Sequence, residues 1–192
     1  MLTPFKDYDT TRVFSEFPKL PKGGYVMKIM GVAKKKNSTG EYLQIGMDVA
    51  EGQYKDFYTK QYTNDTRSEK KWGCNFLLNI PKDDGSEKDG WTKSKFKTFT
   101  VALEESNSGY HFDWDENKWK GKLIGGLFNE REYKTNNGNI GKAANFEKVC
   151  KVEDIRTGNF KIPEDKLLEK PAESSDGFVN VPEGISEELP FN

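Results

Sequence analysis

The sequence is poor in cysteine and histidine, the residue types that build disulfide frameworks, zinc sites and many catalytic pairs. The 192 residues include two cysteines and one histidine. Cys74 and Cys150 lie far apart, and neither has a second thiol or a histidine at ligand spacing. This pattern argues against a disulfide framework and a zinc knuckle, and it favours a reducing compartment. We therefore predict no cofactor.

Long apolar runs are also missing. No stretch approaches the roughly 18 apolar residues that a membrane-spanning helix needs, and no amino-terminal apolar run resembles a signal peptide. The sequence therefore predicts a soluble cytoplasmic protein with no membrane partner.

Catalytic motifs are absent as well. There is no Walker-type glycine loop, no nucleophile elbow and no thiol paired to a histidine motif. Asp113, Asp115 and Glu116 lie close together, but they lack the glycine-centred spacing of a calcium loop and a His or Cys partner. We predict no catalytic residues and no metal, and therefore a protein that is not an enzyme.

The near-neutral total charge hides an asymmetry between two parts of the chain. Of 30 basic and 31 acidic residues, two basic and eight acidic residues lie from Pro163 onward. The arm 163–192 thus carries a net charge of about −6, and the body 1–162 carries about +5. A basic body joined to an acidic arm is typical of a nucleic-acid binder whose tail has another role.

Alternation of apolar and polar residues predicts strands at 25–32, 42–49 and 56–62. The segment 34–40, which begins with three lysines, is predicted to be the hairpin loop between the first two strands. In the third strand, a period of two places Tyr58, Lys60 and Tyr62 side by side on one face.

The second half of the body contains a predicted helix and two further strands. Residues 64–91 are interpreted as an insertion in which 72–80 is either a strand or a buried segment. Apolar spacing predicts a helix at 92–106, closed by a glycine-containing stop. Strands are predicted at 120–133 and 144–152, joined by a turn at 134–139 that contains an Asn-Gly step.

Three strands, one helix and two strands follow the order of an OB-fold, a five-stranded Greek-key barrel that binds oligonucleotides across strands two and three and the adjoining loops. The predicted fold class is therefore all-β with one or two helices. It comprises an OB-fold domain at 1–162, with an amino-terminal arm and an insertion, and a disordered acidic tail at 163–192.

Single strands are bound by basic side chains along the phosphates and by aromatic rings that stack on bases, each stack contributing about 1 to 3 kcal/mol. The predicted nucleic-acid-binding residues are Lys34, Lys35, Lys36, Tyr42, Tyr58, Lys60, Tyr62 and Lys134. The alternatives are a solvated lysine loop and ordinary cross-strand packing of the tyrosines. Secondary candidates are Trp72, Trp91, Trp114, Trp119, Arg67, Lys70 and Lys71; a structural role is the favoured alternative for the tryptophans, and a solvated surface is the alternative for Arg67, Lys70 and Lys71.

Together with the acidic ending, three segments carry a family resemblance: 20–25, 120–128 and 152–160. The chain resembles single-stranded DNA-binding proteins, in particular those encoded by phages and prophages of Gram-positive bacteria. This resemblance implies a non-enzymatic protein of the bacterial host cytoplasm that acts in DNA replication and recombination. It also implies single-stranded DNA as the ligand, bound with little sequence preference.

The carboxyl-terminal residues are the predicted partner-binding segment for replication and recombination proteins: Glu187, Glu188, Leu189, Pro190 and Phe191. In the bacterial proteins the tail resembles an acidic run ending in Pro-Phe with a free Phe carboxylate, whereas Asn192 follows Phe191 here.

Two alternatives to this reading stay open. One is an OB-fold protein-interaction module, such as a replisome adaptor or a modulator of a host enzyme, without direct nucleic-acid binding. The other concerns assembly, because the sequence does not determine the oligomeric state and a homo-oligomer is compatible with it.

Overall fold

A computed structural model describes residues 18–168 together with residues 3, 6, 8 and 9. Five antiparallel strands form one sheet in the order β3-β2-β1-β4-β5. The strands are β1 (Gly23–Asn37), β2 (Gly40–Val49), β3 (Asn75–Asn79), β4 (Leu123–Lys134) and β5 (Ile140–Cys150). The helices are α1 (Phe57–Asn64), α2 (Glu87–Ser106) and α3 (Val152–Thr157), with a 3₁₀ turn at Glu116–Trp119. This sheet and its helices confirm the expectation of an all-β protein with helices.

The first two predicted strands are confirmed, and both are longer than predicted. Leu43, Ile45 and Met47 alternate into the core from β2, as expected for a half-buried strand. The lysines of 34–36 were predicted to lie in a loop, but they belong to β1, and the turn consists of two residues. It is tight because the Asn37 side-chain oxygen accepts hydrogen bonds from the backbone N–H groups of Thr39 and Gly40 at 2.9 and 3.1 Å.

The predicted strand at 56–62 is wrong, because this segment forms α1. The buried Asp48 carboxylate at the end of β2 accepts the backbone N–H groups of Tyr58 and Thr59 at 2.8 and 2.9 Å. These donors of the first helical turn would otherwise lack a partner. A residue outside the segment therefore stabilises the helix, and the alternation within the segment does not decide its structure.

The third strand, β3, lies inside the segment interpreted as an insertion, within the apolar stretch 72–80. It is a short edge strand that pairs with β2 from Tyr42↔Asn79 to Gly46↔Asn75. The strand reading of 72–80 is thus correct, and the insertion reading of the segment around it is wrong.

Helix α2 covers the predicted 92–106 and begins five residues earlier. Its start is set by Ser86, whose hydroxyl oxygen accepts the Asp89 backbone N–H at 3.1 Å. Its end at Ser106 agrees with the predicted stop. The Asn107 side chain then connects the helix to β4, donating to the Leu123 carbonyl at 2.8 Å and accepting the Leu123 N–H at 3.0 Å.

The last two predicted strands are confirmed with shifted ends. Lys134 is the final residue of β4, and Val152 begins α3 where the end of a strand was predicted. Gly126 in β4 has no room for a side chain, because a Cβ there would lie 2.8 Å from Met27 Cγ and 2.9 Å from the Phe146 ring. A glycine is therefore needed where these side chains cross the strand.

The sheet is curled so that its two edge strands approach each other. The ring centroids of Phe76 in β3 and Phe146 in β5 lie 5.0 Å apart. Inside the curl, Phe99, Trp119 and Phe128 are fully buried. The surfaces of β1, β2 and β3 that point away from this core form the outward face of the sheet.

The chain after α3 returns to β4. Lys166 pairs with Arg131 in parallel orientation, and its N–H donates to the Glu130 carbonyl at 2.8 Å. The Asp165 carboxylate accepts the Glu130 N–H at 3.0 Å. The packed body thus extends past the predicted domain boundary at residue 162, at least to Leu168. Among the described residues, no helix combines the length and the apolar character required to cross a membrane.

Candidate nucleic-acid interface

Strand register places a row of side chains across the outward face of the sheet. Lys35 of β1 is opposite Tyr42 of β2, and Tyr42 is opposite Asn79 of β3. Directly opposed residues share a face, and Leu43 and Ile45 point to the core, so this row points outward. Lys35 and Asn79 are exposed and Tyr42 is half-buried. An aromatic ring and an amine therefore lie next to each other on the surface.

The adjacent row adds an apolar and an amide group to the same face. Gln44 is opposite Ala33 on one side and Leu77 on the other. The Leu77 side chain is 60% exposed, which is unusual for a leucine in a sheet. The Gln44 amide donates to Asn75 Oδ1 at 2.9 Å, so its orientation is fixed.

A pair of aromatic rings covers the next part of this face. Trp72 lies over Gly46, where a Cβ would be 3.7 Å from the indole, and its Nε1 donates to the Met47 carbonyl at 2.8 Å. The Tyr62 ring lies 5.7 Å from the Trp72 ring at an interplanar angle of 45°. Tyr62 is 39% exposed, and Lys70 Nζ lies 5.7 Å from its ring centroid. Tyr62 thus reaches the outward face from a helix.

Tyr58 does not reach this face. It is 6% exposed and contacts Phe57 edge-on at 5.1 Å. Burial raises the pKa of the Tyr58 hydroxyl well above its usual value. The prediction that Tyr58 shares a strand face with Lys60 and Tyr62 is wrong, since helical geometry turns Lys60 to the other side of α1. Lys60 Nζ donates to the Lys55 carbonyl at 2.8 Å.

The three lysines of 34–36 differ in their surroundings. Lys34 is opposite Leu43, and its Nζ forms an ion pair with Glu41 at 2.8 Å. The hydrogen bond from Lys34 holds the pKa of Glu41 below its usual value. Lys36 is opposite Glu41 in the strand register, so it lies on the face of Lys34 and not on that of Tyr42. Lys35 shares the face of Tyr42, and no described acidic group forms an ion pair with it. Lys35 is therefore the lysine of this run that is best placed to attract phosphate.

Lys134 lies away from the Lys35–Tyr42–Asn79 row in the strand order, at the tip of the β4–β5 hairpin. Its neighbour Tyr133 is 42% exposed, and the Tyr133 ring lies over Gly141, where a Cβ would be only 2.6 Å from it. Sequence reasoning missed Tyr133, although an aromatic residue beside Lys134 at a hairpin end was a usable signal.

The sequence analysis did not select three further residues of the outward face as primary candidates. Leu77 was not singled out, and no sequence signal distinguishes it from a core leucine. Trp72 and Lys70 were secondary candidates, and the run Lys70-Lys71-Trp72 was the signal that could have promoted them. Arg67 forms an ion pair with Asp65 at 2.7 Å and is therefore engaged elsewhere.

A second exposed aromatic cluster lies between α2 and the loop that precedes the 3₁₀ turn. Trp114 is 81% exposed and stacks on Phe96 at 6.3 Å and 12°, with Phe112 at 5.1 Å. The cluster borders a groove of about 890 Å³ that Lys34 and Lys97 also line. Trp114 has a φ of 66°, a left-handed conformation rare for a tryptophan. The lining is mostly apolar, and its charged groups have both signs.

Among the residues that the structure describes, no group of three or more His, Cys, Asp or Glu side chains is placed to hold a metal ion. The predicted partner-binding residues Glu187, Glu188, Leu189, Pro190 and Phe191 lie outside the described residues. Comparison with protein-family models and with curated proteins found no match.

Proposed function

We propose that the protein is a non-enzymatic single-stranded DNA-binding protein. The observation that carries this proposal is the outward face of the sheet, where Tyr42 lies beside Lys35 and the Tyr62–Trp72 pair lies beside Lys70, two lysines that form no ion pair among the described residues. Unpaired bases stack on exposed rings and phosphates are attracted by amines, which is how single strands are bound without sequence preference. Duplex DNA hides its base faces, so this arrangement favours single strands.

The fold that we propose for this activity is the OB-fold. The strand order β3-β2-β1-β4-β5, with α2 between β3 and β4, is the order of such a barrel opened between its third and fifth strands. The contact between Phe76 and Phe146 joins these two strands through side chains. The proposed interface then falls on strands two and three, where OB-folds bind oligonucleotides.

In the proposed mechanism, bases stack on Tyr42, Tyr62 and Trp72, while Lys35 and Lys70 neutralise phosphates. Binding is then strongly salt-dependent, because each neutralised phosphate releases condensed counterions. It is only weakly sequence-dependent, because every base offers a π-face.

Intrinsic fluorescence of the full chain tests this proposal. Oligo(dT) is expected to quench tyrosine and tryptophan emission, high salt to restore it, and a duplex of equal length to have a much smaller effect. Emission that does not respond to oligo(dT) at low salt would contradict the proposal.

By its resemblance to phage and prophage proteins, we also propose a role in phage DNA replication and recombination in the bacterial cytoplasm. In this proposal the segment Glu187–Phe191 recruits replication and recombination proteins. Deletion of residues 187–192 is expected to leave affinity for oligo(dT) equal or higher and to abolish partner binding. Weaker DNA binding after the deletion would contradict a separate role for the tail.

One observation favours a second candidate, a protein-interaction module on the same fold. The groove beside Trp114 is apolar and has charges of both signs, which suits a polypeptide better than a polyanion. If this were the sole function, single-stranded DNA would leave the emission unchanged and Trp114→Ala would abolish partner binding.

A further inference from the structure

Trp91 lies on α2 and is 67% exposed. It differs from Trp114, the other strongly exposed tryptophan, whose ring is backed by Phe96 and Phe112. The Trp91 ring points to solvent and adds nothing to the core of this molecule. The residues around it therefore indicate which kind of ligand it suits.

Two lysines flank Trp91 on the same side of the helix. Lys88 precedes it by three residues and Lys95 follows it by four, spacings that place side chains next to each other on a helix surface. Neither amine has a described acidic partner within ion-pair distance, whereas Lys93 is paired with Asp83 and Asp89. That side of α2 also carries Glu87, four residues before Trp91, so two basic side chains and one acidic side chain surround the ring.

The acidic groups in this region are largely engaged by backbone donors. Asp89 is buried and accepts the Lys82 N–H at 2.7 Å, and Asp84 accepts the Ser86 N–H at 3.0 Å. Glu87 is the exposed acid of the first turn. Over residues 82–95 the four basic and four acidic side chains balance, so any attraction for a phosphate comes from Lys82, Lys88 and Lys95, which form no ion pair among the described residues.

The first turns of α2 adjoin the outward row of the sheet. The Ile80 N–H donates to the Glu41 carbonyl at 3.0 Å, which ties the end of β3 to the β1–β2 hairpin. A small pocket of about 80 Å³ is lined jointly by Gly40, Asn79, Lys82 and Lys88. The same pocket is lined by Glu41, Asp84 and Asp89. Through this pocket, the Asn79 end of the row Lys35–Tyr42–Asn79 adjoins α2 at Lys88.

Phe99 is buried and stacks on Phe76 of β3 at 5.7 Å and 17°, so the Phe99 side of α2 faces the core, whereas Trp91 and Lys95 are exposed. The Trp114 groove is on another side of the helix, through Phe96 and Lys97.

We infer that a bound single strand leaves the sheet past Lys82 and Lys88 and stacks a further base on Trp91. This inference rests on the proposed function and extends it, because it assigns α2 a stacking position that lies beyond the sheet. The ligand is an unpaired polynucleotide, since stacking on Trp91 requires a base with a free face, and Lys95 lies beside the ring to contact the next phosphate.

The consequence is a length dependence that the sheet alone would not produce. Short oligonucleotides fill the row around Tyr42, and only longer ones reach Trp91. Site sizes of single OB-folds run from about 4 to 16 nucleotides, so oligo(dT) of about 6 and of about 20 nucleotides brackets the transition.

The test compares the full-length wild type with Trp91→Ala, using fluorescence anisotropy of both oligonucleotides at one low salt concentration. Trp91→Ala is expected to weaken binding of the longer oligonucleotide at least about fivefold and to leave the shorter one unchanged. Trp114→Ala is the matched control, since it removes another strongly exposed tryptophan, which packs on Phe96 on a different side of α2, and it should leave both affinities unchanged.

The outcomes separate this inference from the proposed function. Binding that depends on Tyr42 and Tyr62, with unchanged affinity of Trp91→Ala for the longer oligonucleotide, overturns the α2 path and leaves the sheet interface in place. Equal losses in Trp91→Ala and Trp114→Ala also overturn it, because the effect would not be specific to that side of the helix. Absence of DNA binding by the wild type overturns both.

Discussion

The Tyr62 ring lies 5.7 Å from the Trp72 ring, tilted by 45°, and the two rings come from different elements that meet on the outward face of the sheet. Trp72 is fixed by its hydrogen bond to the Met47 carbonyl, and Tyr62 is positioned by α1. The position of the Tyr62 ring therefore depends on the start of α1, which Asp48 holds from the end of β2.

Asp48→Ala is expected to destabilise the protein by about 2 to 3 kcal/mol, because it leaves buried backbone donors of the first turn of α1 without an acceptor. Urea unfolding measures this change. Asp48→Asn keeps one oxygen acceptor and should cost less. Equal stability of wild type and Asp48→Ala would show that the carboxylate does not hold α1.

Lys35→Ala is expected to weaken oligo(dT) binding and to reduce the slope of log affinity against log salt by about 0.7, the value for one phosphate contact on a single strand. Lys34→Ala should have a smaller effect, since the Lys34 amine is paired with Glu41. Glu41→Gln releases Lys34 and should strengthen binding at low salt. Salt titrations of the three variants check the order, and a larger loss in Lys34→Ala than in Lys35→Ala would contradict it.

Stability is expected to fall at alkaline pH because of Cys74. Burial raises the pKa of this thiol to about 12. In the unfolded chain the pKa is about 8.5, so above that pH the unfolded state releases a proton that the folded state retains. The stabilisation is thus fully present below about pH 8.5 and declines toward about pH 12, by about 1 to 2 kcal/mol at pH 10.

The check on Cys74 is urea unfolding at pH 8 and pH 10 for wild type and Cys74→Ala. The variant should lose less stability between the two pH values than the wild type, whatever its stability at pH 8. Cys150→Ala should reduce the pH dependence by a similar amount, because burial raises the pKa of the Cys150 thiol to about 11 and both thiols stay largely protonated in the folded state at pH 10. If the loss of stability between pH 8 and pH 10 in Cys74→Ala equals that of the wild type, the Cys74 thiol is excluded as its source.

The elements that sequence patterns predicted well are those whose structure is decided locally. Leu43, Ile45 and Met47 alternate because β2 has one buried face, and Ser106 ends α2 just before Asn107. The same alternation puts Tyr42 on the face of β2 opposite to Leu43, whereas Lys35 was predicted in a loop and lies in β1 because the hairpin turn is two residues long.

The failures occurred where a distant residue decides the structure. Tyr58 and Tyr62 alternate with Lys60 as in a strand, yet the carboxylate of Asp48 stabilises a helix there and buries Tyr58. The third strand was then assigned to the wrong segment, so Trp72 and Leu77 did not receive their place on the outward face. Their exposure follows from tertiary packing, which a single sequence does not contain.

The affinity of the double variant Tyr42→Ala/Tyr62→Ala for labelled oligo(dT), at one fixed low salt concentration, tests the proposed interface most directly. Two stacking rings are lost, so binding should weaken at least about tenfold, while the urea unfolding transition stays cooperative. Tyr58→Phe, which changes a buried ring, should bind like the wild type. Wild-type affinity in the folded double variant would contradict the proposal that this face binds single-stranded DNA.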